Sequence, residues 1–330
     1  MSAQQMHISD RGGPTAEGVA RAAAKIAELL PPTPLLEAEV NGTRIWLKAV
    51  SLQPIGSFKI RGAWHRLSDL SETERAAGVV GVSSGNHAQG VAWAARKLGM
   101  AATIVMPANA PQVKLDATHA LGAEVVLYDR ASGEDRDVVA ARLIDASGAT
   151  LVHAFGDPWV IEGQGSTGLE IAAQMAARGL DAPTRIICPC GGGGLTAGLS
   201  LACPEAAIVP VEPEGWDDLR ISLERGEIVA VADQSYPTAC DALQTPATRP
   251  INFAILKGRV PFGLMVTPRE IRDAQRWAFA KLHLVIEPGG AAGLAAVLAG
   301  KAETGGRTVV VLSGGNTDAA AFAAVINSRD

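Results

Sequence analysis

Short apolar runs alternate with longer helical segments through most of this chain of 330 residues. The apolar runs have the length and the valine and isoleucine content of buried strands, and the segments between them have helical spacing. A helix between two strands lets both strands run in the same direction, so the alternation predicts parallel βαβ units. We therefore expect a fold of the α/β class rather than a β-sandwich.

The predicted strands are 44–50, 79–82, 102–106, 124–128, 150–153, 185–189, 208–212 and 308–312. The predicted helices are 15–30, 86–98, 112–121, 135–146, 161–178, 194–202, 269–282 and 291–300. A further helix is predicted from Ser57, whose hydroxyl group we expect to accept a free backbone N–H of the first turn. Residues 230–260 have the least regular pattern of the chain.

Composition excludes several classes of protein. Hydrophobic residues make up 48% of the chain, enough for a large core, and the formal net charge of −5 argues against a nucleic-acid binder. No apolar run has the length of a membrane span and the N-terminus lacks a signal-peptide pattern, so we expect a cytoplasmic protein without membrane contact. Cys188, Cys190, Cys203 and Cys240 lack zinc-ligand or disulfide spacing and are expected to be free thiols.

Four consecutive glycines, Gly191 to Gly194, follow a predicted strand and open a predicted helix. Glycine loses more backbone entropy on folding than any other residue, so packing alone does not favour such a run. The run brings backbone N–H groups close to a ligand at the positive end of a helix, which suits a phosphate group. An alternative is an NAD-dependent oxidoreductase, because Gly192, Gly194 and Ala197 also fit a dinucleotide fingerprint with Glu212 as the ribose-binding acid.

Lys59 lies at the predicted start of a helix, within the segment 56–62. The positive end of the helix dipole disfavours another cation at this position. Together with partial burial, this field is expected to lower the pKa of the amine and to make it available for a Schiff base with a carbonyl group. A lysine on the surface is the ordinary alternative for a residue of this type.

Two polar segments, 83–90 and 313–316, follow predicted strands, and α/β folds bind ligands at such strand ends. The alternatives are a helix cap formed by Ser84 or Asn86, and an ordinary turn at 313–316. A third segment, 212–218, is acidic. Its carboxylates either bind a hard cation or place negative charge at the N-terminus of a helix. From charge alone we favour the helix start.

Taken together and in this order, the motifs resemble the fold-type II pyridoxal-phosphate enzymes of the serine/threonine dehydratase and serine racemase family, which includes hydroxyaspartate dehydratases. The matching segments are 34–36, 59, 83–90, 105–107, 163–165, 191–195, 287–288 and 313–316. The resemblance implies a fold like that of the tryptophan synthase β chain, with two domains that each hold a mostly parallel sheet flanked by helices. It implies a large cofactor-binding domain of residues 1–69 and 156–330, and a small substrate-loop domain of residues 70–155.

The resemblance also implies how the chain holds the cofactor pyridoxal 5'-phosphate. Lys59 would bind the cofactor aldehyde covalently and serve as the catalytic base, and Phe58 would pack beside the ring. Asn86 would hydrogen-bond the phenolic oxygen, and Ser313 would meet the pyridine nitrogen. The phosphate would be held by Gly191, Gly192, Gly193, Gly194 and Leu195.

Further roles implied by the resemblance concern the substrate. Its α-carboxylate would be held by Ser83, Ser84, Asn86 and His87. Ser84 would also be catalytic, because a hydroxyl group on the face opposite Lys59 is able to deliver or take a proton. Arg136 would meet a second substrate carboxylate. The segment 241–244 departs from the common Asp-Gly pattern of the family, which leaves the pocket for the substrate side chain unassigned.

The activity implied by the resemblance is that of an ammonia-lyase. It would convert L-serine, L-threonine or 3-hydroxyaspartate into a 2-oxo acid and ammonia by β-elimination. Ser84 motivates an alternative activity, racemisation of serine or aspartate. Glu212, Asp218 and the carbonyl of Trp216 would bind a divalent cation, Mg²⁺, Mn²⁺ or Ca²⁺. The partners implied are a small amino acid and a second copy of the chain in a homodimer.

Overall fold

The computed structural model describes residues 12–110, 112–129 and 132–328. Its strands are β1 (Leu35–Val40), β2 (Thr43–Ala49), β3 (Val79–Val82), β4 (Ala102–Pro107), β5 (Glu124–Tyr128), β6 (Thr150–Val152), β7 (Arg185–Pro189), β8 (Ala207–Pro213), β9 (Leu264–Val266) and β10 (Thr308–Leu312). Its helices are α1 (Ala16–Leu29), α2 (Lys59–Ser68), α3 (Glu72–Ala77), α4 (Asn86–Leu98), α5 (Gln112–Ala120), α6 (Arg136–Ser147), α7 (Pro158–Ala176), α8 (Gly194–Ala202), α9 (Asp218–Arg225), α10 (Pro250–Leu256), α11 (Pro268–Leu282), α12 (Pro288–Leu298) and α13 (Ala319–Asn327). None of these described helices is long and apolar enough to cross a membrane.

The larger sheet has six strands in the order β1-β2-β10-β7-β8-β9. All neighbouring pairs in it are parallel except β1 and β2, which form an antiparallel hairpin. Our sequence analysis missed β1, although Asn41 and Gly42 between the two strands are a strong hairpin signal. Both residues have positive φ values, 51° and 75°, as a tight hairpin turn of this kind requires.

The smaller sheet has four parallel strands in the order β5-β4-β3-β6 and lies within residues 79–152. Helices α4, α5 and α6 pack against the strands of this sheet. The prediction of an α/β fold with two mostly parallel sheets flanked by helices is confirmed. The domain boundaries at residues 70 and 155 stay a prediction.

Three helices pack unusually closely, because glycines face each other where they cross. A Cβ atom on Gly163 of α7 would lie 2.5 Å from the Cα of Gly62 in α2. A Cβ atom on Gly165 of α7 would lie 2.6 Å from the carbonyl oxygen of Gly198 in α8. Since α2 begins at Lys59 and α8 begins at the end of the glycine run, this packing sets the positions of both segments.

A buried ion-pair network also holds α2 in place. Arg61 and Lys48 are among the largest fully buried side chains, and both bond to the carboxylate of Glu170 in α7. Nη2 of Arg61 donates to Oε2 over 2.6 Å, and Nζ of Lys48 donates to Oε1 over 2.5 Å. Removing one partner of such a buried pair leaves an uncompensated charge, so the network resists any shift of α2.

Candidate active site

Lys59 is the first residue of α2, as the sequence predicted, and protein surrounds its amine. Nζ donates a hydrogen bond of 2.9 Å to the carbonyl oxygen of Ala154. Burial disfavours the charged amine and lowers its pKa to about 8, an effect that Cys190 and Glu287 partly oppose. Burial is thus the main cause of the shift, where the sequence argument had put the helix dipole first. About a tenth of the amine is therefore neutral and nucleophilic at pH 7.

Ser57 does not cap α2, contrary to our expectation. The N-cap residue is Phe58, which makes no side-chain bond to the helix and whose ring centroid lies 5.2 Å from Nζ of Lys59. The backbone holds this turn instead, because the N–H of Phe58 donates to the carbonyl oxygen of Ser313 over 3.1 Å and Ser57 forms a bridge with Gly314. Oγ of Ser57 is buried and has no hydrogen-bond partner among the described residues. Ser313, at the end of β10, is thereby brought to the turn that carries Lys59.

The glycine run links β7 to α8 and offers unpaired donors. Within the part of the chain that the structure describes, the backbone N–H groups of Gly191, Gly192 and Gly193 donate no hydrogen bond. Buried N–H groups are almost always paired, so free donors at a helix start suit an acceptor group of a ligand. Gly193, the N-cap residue of α8, has a φ of 86°, a value that residues other than glycine rarely adopt. The loop therefore fits the phosphate group of pyridoxal phosphate.

Phe155 covers the glycine run and connects it with Lys59. A Cβ atom on Gly192 would lie 2.3 Å from Cδ2 of Phe155, so no larger residue fits there without movement of the ring. Oγ1 of Thr248 donates to the carbonyl oxygen of Gly192 over 3.2 Å and holds the loop from the other side. The amine of Lys59 bonds to residue 154, and Gly192 contacts the next residue, Phe155. The amine and the glycine run therefore contact the same short segment.

Asn86 begins α4, and both atoms of its amide are bonded to protein. Nδ2 donates to Oε1 of Glu287 over 2.7 Å, and Oδ1 accepts from Nδ2 of Asn316 over 2.7 Å. One N–H of the Asn86 amide is left for a ligand. Gly85 is the N-cap residue and makes no side-chain bond, so neither Ser84 nor Asn86 caps the helix. The predicted contact of Asn86 with the cofactor stays a prediction.

Glu287 is a site residue that sequence reasoning missed, although it lay in one of the matching segments. It is the N-cap residue of α12 but makes no capping bond, and it is 4% exposed. Burial raises the pKa of its carboxyl group to about 7, against the lowering effects of the hydrogen bond from Asn86 and the charges of Lys114 and Lys59. Its carboxyl group accepts from Asn86, 201 residues away in the chain, so its place in the site was visible only in the structure.

The segment from Ser83 to His87 forms the loop between β3 and the first turn of α4. Oγ of Ser83 accepts a hydrogen bond from the N–H of Gly85 over 3.1 Å, and Ser84 is half-buried beside it. The His87 ring bonds through Nε2 to the carbonyl oxygen of Val152 over 2.8 Å, which places its proton on Nε2. Burial lowers the pKa of His87 to about 3, so the ring offers no positive charge to a carboxylate. The roles assigned to this loop, including catalysis by Ser84, stay predictions.

His153 and Arg249 are two further residues that sequence reasoning missed. Nη2 of Arg249 lies 3.2 Å from Nε2 of His153, and the His153 ring stacks edge-on against Phe155 with centroids 4.7 Å apart. Arg136, the first residue of α6, is exposed, and its charge helps to lower the pKa of His153. Arg136 therefore faces the same region, while its predicted contact with a substrate stays a prediction.

The residues of the predicted cation site are buried. Oε1 and Oε2 of Glu212 accept from the N–H groups of Leu219 and Arg220 over 3.0 and 2.7 Å. Oδ2 of Asp218 accepts from the N–H of Thr248 over 2.7 Å, whereas Oδ1 has no partner among the described residues. Trp216 is 4% exposed. Glu212 thus accepts hydrogen bonds from the first turn of α9, as charge alone had indicated. Asp218 keeps one oxygen that is unpaired among the described residues.

The pKa values of Glu212 and Asp218 are both raised above those of ordinary carboxyl groups. Burial and the neighbouring charge of Asp218 raise the pKa of Glu212 well above its usual range, and burial raises that of Asp218 to about 7. Among the described residues, no group of three or more histidine, cysteine, aspartate and glutamate side chains is arranged to hold a metal ion. Glu212 is fully buried, whereas the ribose-binding acid of the oxidoreductase alternative would have to line an open crevice.

Comparison with known proteins shows which family the chain is similar to. Residues 26–314 match the family described as pyridoxal-phosphate dependent enzyme. An L-threonine ammonia-lyase of Thermotoga maritima is 40% identical over 88% of this chain and 71% of its own length. An L-threo-3-hydroxyaspartate ammonia-lyase of a Pseudomonas species is 38% identical over 88% of this chain and 90% of its own. The solved structure of maize serine racemase superposes with a TM-score of 0.87 at 32% identity, over 94% of this chain and 96% of that one.

Proposed function

The chain belongs to the family of pyridoxal-phosphate dependent enzymes, and from this premise we propose that it is an ammonia-lyase for a β-hydroxy amino acid. The substrate loses water across its Cα–Cβ bond and takes up water when ammonia leaves, so the net products are a 2-oxo acid and ammonia. One observation supports this proposal. Lys59, whose pKa is lowered, bonds to residue 154, and the next residue, Phe155, covers the glycine run with its unpaired N–H groups.

When bound, pyridoxal phosphate withdraws electrons from the substrate Cα, which makes its proton acidic and lets the β-hydroxyl group leave. Nζ of Lys59 takes the proton from Cα, because a buried amine with a pKa of about 8 is in part a free base. The free N–H groups of Gly191, Gly192 and Gly193 would hold the cofactor phosphate. Glu287 and Asn316 orient the amide of Asn86, whose remaining N–H would be available to the cofactor ring.

The proposal is tested with the protein reconstituted with pyridoxal phosphate and a panel of substrates: L-serine, L-threonine and both diastereomers of 3-hydroxyaspartate. We expect equal amounts of 2-oxo acid and ammonia from at least one of them. We also expect a visible absorbance band that borohydride abolishes, and loss of turnover in Lys59→Ala. Absence of products from all four substrates, or full turnover in Lys59→Ala, would overturn the proposal.

Racemisation is a second candidate activity, supported by the hydroxyl group of Ser84 in the loop that also holds Asn86. A hydroxyl group opposite Lys59 would return a proton to the other face of Cα. The test is a chirality assay of serine or aspartate recovered after incubation with the enzyme. Absence of the D-isomer when the L-isomer is supplied removes this candidate.

We also propose that Mg²⁺, Mn²⁺ or Ca²⁺ binds at Glu212, Asp218 and the carbonyl of Trp216. The unpaired Oδ1 of Asp218 and the mutual repulsion of two buried carboxylates support a cation there, since carboxylate oxygens are the preferred ligands of hard cations. Each cation is expected to raise the melting temperature of chelator-treated protein. No response to any of the three contradicts this proposal.

The resemblance further supports a cytoplasmic homodimer that takes only a small-molecule substrate. Light scattering tests the oligomeric state, and we expect a mass near twice the 34.0 kDa of one chain. Cell fractionation tests the location.

A further inference from the structure

Arg249 is a cation without an acidic partner among the described residues. It lies directly before α10 and is exposed, and no carboxylate of the described residues is within ion-pair distance of it. The contact that its guanidinium group makes is to Nε2 of His153, over 3.2 Å. An arginine of a protein surface usually finds an acidic partner or bulk water, so a guanidinium group placed against an imidazole ring requires explanation.

The His153 ring faces more donors than it is able to satisfy. Its Nδ1 atom accepts from the N–H groups of Phe155 and Gly156 over 3.3 and 2.9 Å. A neutral imidazole has one nitrogen lone pair for hydrogen bonding, so Nε2 must carry the proton. The Nε2–H of His153 and the N–H of Arg249 are therefore two adjacent donors, and the described residues supply no acceptor for either of them. An anion that accepts from both would complete this arrangement.

The position of the two donors places such an anion at the site. His153 directly precedes Ala154, whose carbonyl oxygen binds Lys59, and its ring stacks on Phe155, which covers the glycine run. Burial lowers the pKa of His153 to about 3, with further lowering by Arg249, Lys59 and Arg136. The positive charges of these three side chains thus act on one neutral ring.

Resting on the proposed function, we propose that Arg249 and the Nε2–H of His153 bind the side-chain carboxylate of the substrate. The preferred substrate is then a β-hydroxy amino acid with two carboxylates, such as 3-hydroxyaspartate, rather than serine or threonine. The cofactor phosphate is a poorer occupant, because it already has the N–H groups of the buried glycine run, whereas Arg249 is exposed. Arg249 is therefore a specificity-determining residue, with the imidazole of His153 as its partner.

Equilibrium binding tests the proposal without turnover. Calorimetry measures the affinity of the reconstituted protein for succinate, a dicarboxylate without an amino group, in Arg249→Ala, Arg249→Lys and the control Arg259→Ala. Arg259 is an exposed arginine near the other end of α10. We expect about a 30-fold loss of affinity in Arg249→Ala, the size of one charge-assisted hydrogen bond, and a smaller loss in Arg249→Lys. Equal affinities in Arg249→Ala and Arg259→Ala overturn the proposal.

Kinetics separate the proposed specificity from a general role. In Arg249→Ala we expect kcat/KM for 3-hydroxyaspartate to fall about 30-fold, with kcat/KM for L-serine and L-threonine changed by less than about threefold. An equal loss for all substrates, together with weaker binding of pyridoxal phosphate, would assign Arg249 to the phosphate instead. If the unmodified enzyme released ammonia from no β-hydroxy amino acid, the proposed function would fail, while succinate binding would still decide the role of Arg249.

Discussion

Nδ2 of Asn86 donates a hydrogen bond of 2.7 Å to Oε1 of Glu287, which joins the first residue of α4 to the N-cap of α12. Helix α4 follows a strand of the smaller sheet, and α12 packs on strands of the larger one. The contact therefore connects the two sheets at the site, through a carboxyl group with a pKa of about 7.

Glu287→Gln is expected to flatten the dependence of stability on pH. The pKa of this carboxyl group is about 7 in the folded protein and 4.5 for an unperturbed glutamate, so the folded state binds more protons between these values. Its contribution to stability is therefore present below about pH 4.5 and is lost as the pH rises through 7, by up to about 3 kcal/mol. Thermal unfolding of the cofactor-free protein from pH 5 to 8 measures the effect. The exposed Glu205→Gln is the control, and parallel curves for Glu287→Gln and the unmodified protein would contradict the prediction.

Lys59→Met is expected to abolish turnover and yet to stabilise the cofactor-free protein at pH 7. The pKa of the amine falls from 10.5 to about 8 on folding, so burying its charge costs roughly 3 kcal/mol at neutral pH. Between these two values the unfolded state binds more protons, so the advantage of the variant shrinks as the pH rises from about 8 to about 10.5. Melting temperatures across this range provide the measurement. The exposed Lys281→Met should show no such trend, and a variant less stable than the unmodified protein at pH 7 would refute the argument.

Gly192→Ala is expected to weaken the binding of pyridoxal phosphate at least about tenfold and to lower the melting temperature. The added Cβ atom would lie 2.3 Å from Cδ2 of Phe155, so the ring or the loop must move. The double variant Gly192→Ala/Phe155→Ala should regain part of the lost stability, because the second change provides the missing space. Cofactor titration and thermal unfolding test both statements. Gly305→Ala is the matched control, since no atom of the described residues lies within 4 Å of its added Cβ atom. The same small effect in both single variants would argue against binding of the cofactor phosphate by the glycine run.

Asp218→Asn is expected to stabilise chelator-treated protein and to remove its response to divalent cations. The substitution relieves the repulsion between Asp218 and Glu212, two buried carboxylates, and also removes a ligand oxygen. Melting temperatures at pH 8, with and without added Mg²⁺, provide the measurement. The exposed Asp145→Asn should behave like the unmodified protein. A full cation response in Asp218→Asn would place the cation elsewhere.

Local patterns predicted the strands and helices well where hydrophobic spacing was strong. Strands β3, β5 and β7 have the predicted limits, and α4 and α8 start and end at the predicted residues. The β1 strand and helix α9 were missed, because one is a half-polar hairpin arm and the other is short and follows an acidic turn. The Ser57 cap was wrong, because pairing of this residue with Gly314 fixes its backbone away from a capping position.

Lys59 at a helix start, the glycine run after a strand and the order of the motifs were all readable from the sequence, because each depends on neighbours along the chain. The fold class and the family followed from them. Two contacts were decided only by the tertiary structure. Asn86 contacts Glu287, 201 residues away along the chain, and His153 contacts Arg249, 96 residues away. The same holds for the pKa of Lys59 and of Glu287, because desolvation depends on which distant segments pack around a charge and no local pattern records that.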